Sequence, residues 1–266
     1  MGHVWAAVLG LVQGLAEFLP ISSSAHLTLI PWAFGFQHAY PVLDGVQFDI
    51  ALHAGSAVAI LIALWGDWVS LARGVVRRQP AELRLGGFLL VTSVPGAVFG
   101  VLLEDKVQSA FRAPWLIGCT LIGFGLLLWA IDRWAPRNEP FEKVTWKRAA
   151  WIGVAQAAAI VPGVSRSGAT MTMGRWLGLS REAIARYSFM AALPIIVGGA
   201  VFGLRHTSIS QLLSVDWGIG FTMALLSSLA LMRWMLDYVR KHTFAIFMWY
   251  RLALGAAVIA LFLIRG

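Results

Sequence analysis

The chain has 266 residues, of which 59% are hydrophobic and 13% are charged, and its mean hydropathy is +0.74. Soluble domains typically carry about 25% charged residues, so the composition excludes an ordinary soluble enzyme and predicts a helical bundle that crosses a membrane several times. The single cysteine, Cys119, excludes an intrachain disulfide. The net charge of +8 does not indicate nucleic-acid binding, because the basic residues lie mostly in short loops, as membrane orientation requires.

The apolar segments differ in length. A spanning helix needs about 20 apolar residues. The pieces 4–19 and 24–36 are marginal or too short, and we interpret them as one re-entrant helical hairpin. The pieces 149–161 and 167–179 form a second hairpin by the same reasoning. The segments long enough to span are 46–68, 85–103, 115–131, 183–204, 216–235 and 244–264.

Basic residues divide unequally between two sets of loops, with twelve in one set and four in the other. The richer loops are 69–84, 132–148 and 233–243. The positive-inside rule places these in the cytoplasm. Successive loops can then alternate between the two sides of the membrane only if the first hairpin enters and leaves from outside and the second enters and leaves from the cytoplasm.

This arrangement predicts the fold class: an all-α integral membrane protein with six spanning helices and two re-entrant helical hairpins. The whole chain, 1–266, is a single membrane domain, in which inverted-topology repeats cover about 1–135 and 145–266. Inverted repeats with broken helices are typical of transporters and place the functional site at the repeat interface.

Each hairpin contains a polar, serine-rich break, at 20–26 and at 162–170. Pro20 and Pro162 end the preceding half-helices, and the serines that follow are good caps for the next ones. Free N–H groups and the helix dipole make such an N-terminus an anion site. Two of these ends brought together would suit a diphosphate.

Arg166 lies in the second break, and its planar guanidinium matches phosphate oxygens. The residues predicted to bind substrate with it are Gln13, Ser22, Ser24, Gly163, Ser165, Ser167 and Thr170. The segment lacks the lysine of a Walker P-loop, so we expect no nucleotide. No cluster of His, Cys, Asp and Glu has the spacing of a zinc site, so no metal ligands are predicted.

The first break supplies the parts of an activated nucleophile. Glu17 follows Gln13 by one helical turn, and His26 follows Ser23 by three residues. The predicted catalytic residues are Ser23, His26, Glu17 and Arg166, with Ser23 attacking, His26 handling the proton and Glu17 supporting. His26 as the direct nucleophile and direct attack by water remain open.

Three other groups have simpler structural interpretations. Asp49 and His53 share one helix face and are read as a polar pair at the membrane interface. The sequence leaves the role of Arg251 open, and pairing with a carboxylate inside the bundle is one interpretation. The arginines read as cytoplasmic anchors are Arg175, Arg181 and Arg186. Any single serine in an apolar helix commonly bonds a carbonyl of its own helix, whereas Glu17, His26 and Arg166 are ionisable residues for which a purely structural role at membrane depth would be costly.

The two breaks resemble the undecaprenyl-pyrophosphate phosphatases of the bacitracin-resistance type. Residues 13–17 fit the family motif (E/Q)xxxE, and 18–26 fit FLP(V/I)SSxxH. Residues 162–170 fit PGxSRSxxT. Gln13 stands where some members have glutamate. The similarity runs along essentially the whole chain, including its length and the order of its segments.

The resemblance implies an integral membrane hydrolase of bacterial cell-wall synthesis, linked to antibiotic resistance. It would remove the terminal phosphate of undecaprenyl diphosphate to regenerate the carrier lipid. It implies a multi-pass protein of the cytoplasmic (inner) membrane with a site facing outward and membrane lipid around it, and it allows a divalent cation (Mg²⁺ or Ca²⁺) and a homodimer. The alternative is a lipid-phosphate or anion transporter, or a flippase, that uses the same re-entrant site.

Overall fold

The structure is a computed structural model that describes residues 1–35, 40, 43, 45–103, 110–135, 138–205, 207–208 and 212–265, without the side chain of Val46. The α-helices in these residues are α1 (Gly2–Phe18), α2 (Ser23–Phe34), α3 (Val46–Ala63), α4 (Trp65–Val76), α5 (Pro80–Leu102), α6 (Pro114–Trp134), α7 (Trp146–Ala157), α8 (Arg166–Trp176), α9 (Arg181–Leu204), α10 (Val215–Lys241) and α11 (Ala245–Arg265). Short 3₁₀ turns and one isolated bridge, between Glu139 and Leu179, complete the described structure. Two residues of the charge argument, Lys106 and Arg137, lie outside the described residues.

Five helices are long and apolar enough to cross a membrane, namely α5, α6, α9, α10 and α11. They coincide with five of the six predicted spans. The sixth predicted span, 46–68, is not one straight helix, because α3 ends at Ala63 and the chain bends by 77° into α4. α4 carries charged residues in its first and last turns, Asp67 and Arg73. If α3 and α4 are counted together as one bent span, they give the sixth candidate span.

Small residues let the first broken helix pack closely against the bundle. α1 lies on α10 and α3, and a side chain at Gly10 would meet the backbone carbonyl of Gly220. Close approach through small residues is the usual mode of helix packing in membranes. α11 packs on α6 and α5 packs on α7, while α9 contacts α3, α5 and α8. Both α1 and α7 therefore pack against longer helices.

A buried carboxylate ties α8 to its neighbours. Asp132 on α6 accepts hydrogen bonds from Arg175 (2.9 Å), from Arg181 (2.8 Å) and from the backbone N–H of Phe244 (3.1 Å). Arg186 pairs with Asp67 at the start of α4. The arginines expected to be cytoplasmic anchors thus also bind carboxylates, which fixes the far end of α8 relative to α6, α9 and α11.

Candidate active site

The two breaks have the same local construction. The hydroxyl of Ser22 caps α2 by accepting from the Ala25 N–H (3.4 Å), and that of Ser165 caps α8 by accepting from the Gly168 N–H (3.1 Å). Both capping serines have positive φ, 75° and 74°. Such a backbone costs on the order of 1–3 kcal/mol at a residue other than glycine, and persists where the surrounding structure enforces it.

The breaks are in direct contact. The Gly163 N–H donates to the Ser22 hydroxyl (3.0 Å), and the Ser167 hydroxyl donates to the Leu19 carbonyl (2.7 Å). Gly163 has a φ of 94°, and a side chain there would overlap the Thr120 hydroxyl. Two helix N-termini, each with backbone N–H groups that lack intrahelical acceptors, therefore begin side by side.

Arg251 on α11 holds the two breaks together from behind. The side chain is fully buried. Its guanidinium donates to the carbonyls of Pro20 (3.1 Å), Gly163 (2.6 Å) and Leu121 (3.0 Å). Among the described residues, Arg251 binds backbone carbonyls and not a carboxylate. Broken helices leave carbonyls without intrahelical partners, and the arginine satisfies several of them at once.

Glu17 is the centre of the polar cluster. Its Oε1 accepts from Arg166 Nη2 (2.8 Å). Its Oε2 accepts from the Ser23 hydroxyl (2.5 Å) and from Gln13 Nε2 (3.0 Å). The Nε2 of His53 lies 3.7 Å from the same oxygen. Only 4% of the Glu17 side chain is exposed, so these donors replace the water that a carboxylate otherwise requires.

A cavity of about 420 Å³ opens onto this cluster. Its polar lining residues are Glu17, Ser22, Ser23, Ser24, Thr28, Asp49, His53, Arg112, Ser165 and Arg166. Its apolar wall includes Ile195, Ile196 and Ala200 of α9. Within the described part of the chain, the buried Nη1 of Arg166 has no hydrogen-bond partner. A donor that costs free energy when left unpaired is thus available to an anion in the cavity.

The model of a known family, described as bacitracin resistance protein BacA, matches residues 6–257. The chain belongs to this family. Two similar proteins, each named undecaprenyl-diphosphatase, come from Pelotomaculum thermopropionicum (44% identical over 257 residues, covering 96% of this chain and 95% of that protein) and Desulforudis audaxviator (43% over 261 residues, 97% of each). A third with this name, from Moorella thermoacetica, is 41% identical over 262 residues and covers 98% of each chain.

Both breaks of this BacA-family chain lie within the region that the family model matches. Of the predicted catalytic residues, His26 does not line the cavity. Its Nδ1 bonds the Ser22 carbonyl (2.7 Å), and its Nε2 bonds the Tyr250 hydroxyl (2.6 Å). A helix turns by about 100° per residue. The cavity face of α2 carries Ser23, Ser24 and Thr28, and His26 points to the other side. Its role as an acid or base stays a prediction.

Other predicted binding residues support the cavity from outside its surface. The Thr170 hydroxyl bonds that of Ser188 (2.7 Å) and carbonyls of its own helix. Gln13 donates a hydrogen bond to Glu17, and the Gly163 N–H donates one to Ser22; it is Glu17 and Ser22 that line the cavity. The predicted residues that line the cavity are Glu17, Ser22, Ser23, Ser24, Ser165 and Arg166.

The sequence interpretation missed the cavity residues on α3 and before α6. His53 bonds the backbone carbonyl of Asp49 through Nδ1 (2.7 Å), and its Nε2 faces Glu17. Arg112 was counted only as a loop charge, but it lines the cavity. A histidine inside an apolar segment was the available signal, since ionisable residues at membrane depth are costly.

The arrangement does not form a protein-held site for a divalent cation. Among the described residues, no group of three or more His, Cys, Asp or Glu side chains is placed to bind one. Glu17 is the carboxylate beside Arg166, and its oxygens already accept from three side chains.

Proposed function

We propose that the chain hydrolyses the terminal phosphate of undecaprenyl diphosphate and so regenerates the undecaprenyl phosphate carrier of cell-wall synthesis. The observation that carries this proposal is the cavity surface where Ser23, hydrogen-bonded to Glu17, lies with Arg166, whose Nη1 has no partner among the described residues. The adjacent helix N-termini supply further donors for phosphate. The names of the similar proteins point to the same substrate.

In the proposed reaction, Ser23 attacks the terminal phosphorus. Its proton passes to Glu17 Oε2, the atom it already donates to. An Oγ–P bond forms, the bond from phosphorus to the bridging oxygen breaks, and the electron pair leaves with the lipid monophosphate. Water then cleaves the phosphoserine to orthophosphate and free Ser23. Arg166 binds the oxygens that carry the developing charge.

We further propose that the two helix pairs, α1–α2 and α7–α8, are re-entrant hairpins of an inverted repeat in the bacterial inner membrane, with the site opening outward. Their shared capping geometry supports this, as does the equal interval along the chain between Gln13 and Gln156 and between Ser22 and Ser165. The lipid tail would leave past the apolar wall into the bilayer. A Mg²⁺ or Ca²⁺ ion would be held mainly by the diphosphate itself.

The repeated hairpins also favour a second candidate, a lipid-phosphate transporter or flippase that uses this cavity. Inverted repeats with broken helices are the architecture that this class uses. Hydrolysis in detergent separates the two candidates, because a solubilised transporter has no compartments to connect and releases no phosphate.

The test measures orthophosphate release by the purified protein from C55 and C15 diphosphates. We expect turnover by the natural chain and a loss of about tenfold to a hundredfold in Arg166→Lys, because hydrogen bonds to charged groups contribute about 1.5–3 kcal/mol and lysine cannot bind two oxygens in one plane. The control is Arg240→Lys, which alters an exposed arginine paired with Glu182 (2.7 Å).

Near-full turnover by Arg166→Lys contradicts bidentate phosphate binding. An absence of phosphate release by the natural chain contradicts the hydrolase and leaves the transporter.

A further inference from the structure

His53 and His26 have the same local geometry and different surroundings. In each, Nδ1 lies 2.7 Å from the backbone carbonyl four residues earlier. A carbonyl can only accept, so Nδ1 carries the proton and the neutral ring has its lone pair on Nε2. In His26 this lone pair meets the Tyr250 hydroxyl. In His53 it faces the cavity and the carboxylate of Glu17.

The distance from His53 Nε2 to Glu17 Oε2 is 3.7 Å. This is too long for a direct hydrogen bond and suits a pair of groups that share a water molecule. The same Oε2 accepts from Ser23 at 2.5 Å. A water between the imidazole and the carboxylate would therefore lie beside the serine oxygen that becomes phosphorylated.

His53 also has a route for protons to solvent. About 32% of its side chain is exposed, against 4% of that of Glu17. A carboxylate so enclosed has to return its proton within the site, whereas the imidazole can exchange with water in the cavity. Imidazole is the side chain whose charge changes between about pH 5 and pH 8.

From this geometry we propose that His53 is the general base of the second half-reaction, the hydrolysis of phosphorylated Ser23. The inference rests on the proposed function. As water attacks phosphorus, one of its protons moves to His53 Nε2 and the new O–P bond forms. The Oγ–P bond breaks, and Oγ takes back the proton held by Glu17. Orthophosphate leaves, and His53 releases its proton to the cavity.

Several charged groups share the cavity with His53 and enter its pH dependence. They are Glu17 from α1, Asp49 from its own helix, Arg112 from the turn before α6 and Arg166 from α8. The helices packed against α3 from the other directions bring apolar or hydroxyl side chains: Ile195 and Ile196 of α9, and Ser228 of α10, which bonds Ser56. The pH limb assigned to His53 must therefore disappear when His53 alone is replaced.

The experiment uses the purified full chain and C15 diphosphate labelled in its terminal phosphate. We expect His53→Gln to slow phosphate release by about 10²–10⁴-fold, the usual effect of losing a general base. The acid-stable label on Ser23 should rise above the level in the natural chain, because attack by Ser23 continues while hydrolysis stalls. A limb of the pH–rate profile that reports the general base in the natural chain should be absent from this variant.

A second variant covers a folding failure of the first. His53→Ala should turn over slowly and should regain turnover when imidazole is added. The control is His242→Ala, at an exposed histidine stacked on Tyr238. Its turnover should match that of the natural chain with or without imidazole. Unchanged turnover in His53→Gln overturns the proposal, as does slower turnover without accumulated label. Absence of phosphate release and label in the natural chain instead overturns the proposed function.

Discussion

A single glycine sets how closely the two breaks approach. Gly163 has a φ of 94°, and a methyl group on it would overlap the Thr120 hydroxyl. Its N–H also donates to the Ser22 hydroxyl, which caps α2. A side chain at Gly163 would therefore disturb the backbone of the second break, its packing on Thr120 and the cap of α2, the helix that begins with Ser23.

We therefore expect Gly163→Ala to lower turnover by about tenfold to a hundredfold, since small misplacement of reacting groups is costly. Gly35→Ala is the matched control. Gly35 has a φ of 67°, and no atom of the described residues lies within 4 Å of a methyl group added there, so it shares the backbone cost of about 1–2 kcal/mol without a clash among them. Phosphate release and melting temperature in detergent measure both effects. Equal turnover in the two variants would show that the close approach is unimportant.

The sequence was informative about which residue types belong to the site and less so about their directions. Glu17, Ser23 and Arg166 were predicted from their chemistry within apolar segments, and the structure brings them into contact. His26 was predicted on the same grounds, but its Nε2 bonds the Tyr250 hydroxyl and the residue does not line the cavity. His53 was missed because its neighbour Glu17 is distant in sequence, and only the packing of α1 on α3 joins them.

Helix α11 contacts both breaks through one buried arginine in an otherwise apolar segment. Its Arg251 donates to carbonyls of both breaks and of α6. One interpretation of the sequence was a carboxylate partner, because a buried charge usually has one. The partners are backbone carbonyls: those of Pro20 and Gly163 lie in the breaks, where intrahelical donors are missing, and that of Leu121 lies on α6. A sequence pattern does not display them.

Removing this arginine should destabilise the bundle. Hydrogen bonds to a charged donor contribute about 1.5–3 kcal/mol each, so we expect Arg251→Met to lower the melting temperature in detergent far more than Arg265→Met. Arg265 is a fair control because it lies on the same helix and donates to the carbonyls of Trp32 and Ala33 at the exposed end of α2. Similar melting temperatures for the two variants would contradict the role assigned to Arg251.

The order of helices in the whole molecule was largely predictable, because length and hydropathy alone identify α5, α6, α9, α10 and α11 as candidate spans. The bend between α3 and α4 was not, because the apolar run continues past Ala63 to Trp65 before the first charge, Asp67, appears. A hydropathy segment records where apolar residues stop but not where the helix axis turns.

The orientation predicted from loop charges is testable by cysteine labelling. In a Cys119→Ser background, needed because Cys119 is exposed, Arg77→Cys and Lys143→Cys should react with an impermeant maleimide only from the cytoplasmic side. Ala110→Cys, placed next to the loop residues 104–109 that lie outside the described part, should react only from outside. Labelling of positions 77 and 110 from the same side would contradict the inverted repeat.

In the proposed reaction, Ser23 is activated by Glu17 and attacks the terminal phosphorus. The most direct measurement is an acid quench of the protein during turnover of C55 diphosphate labelled in its terminal phosphate, followed by location of the label. We expect acid-stable phosphoserine at Ser23, and in Ser23→Ala we expect no label and no turnover while lipid diphosphate still binds, because Arg166 and the helix N-termini remain. An acid-labile label on His26, or robust turnover by Ser23→Ala, would contradict the account.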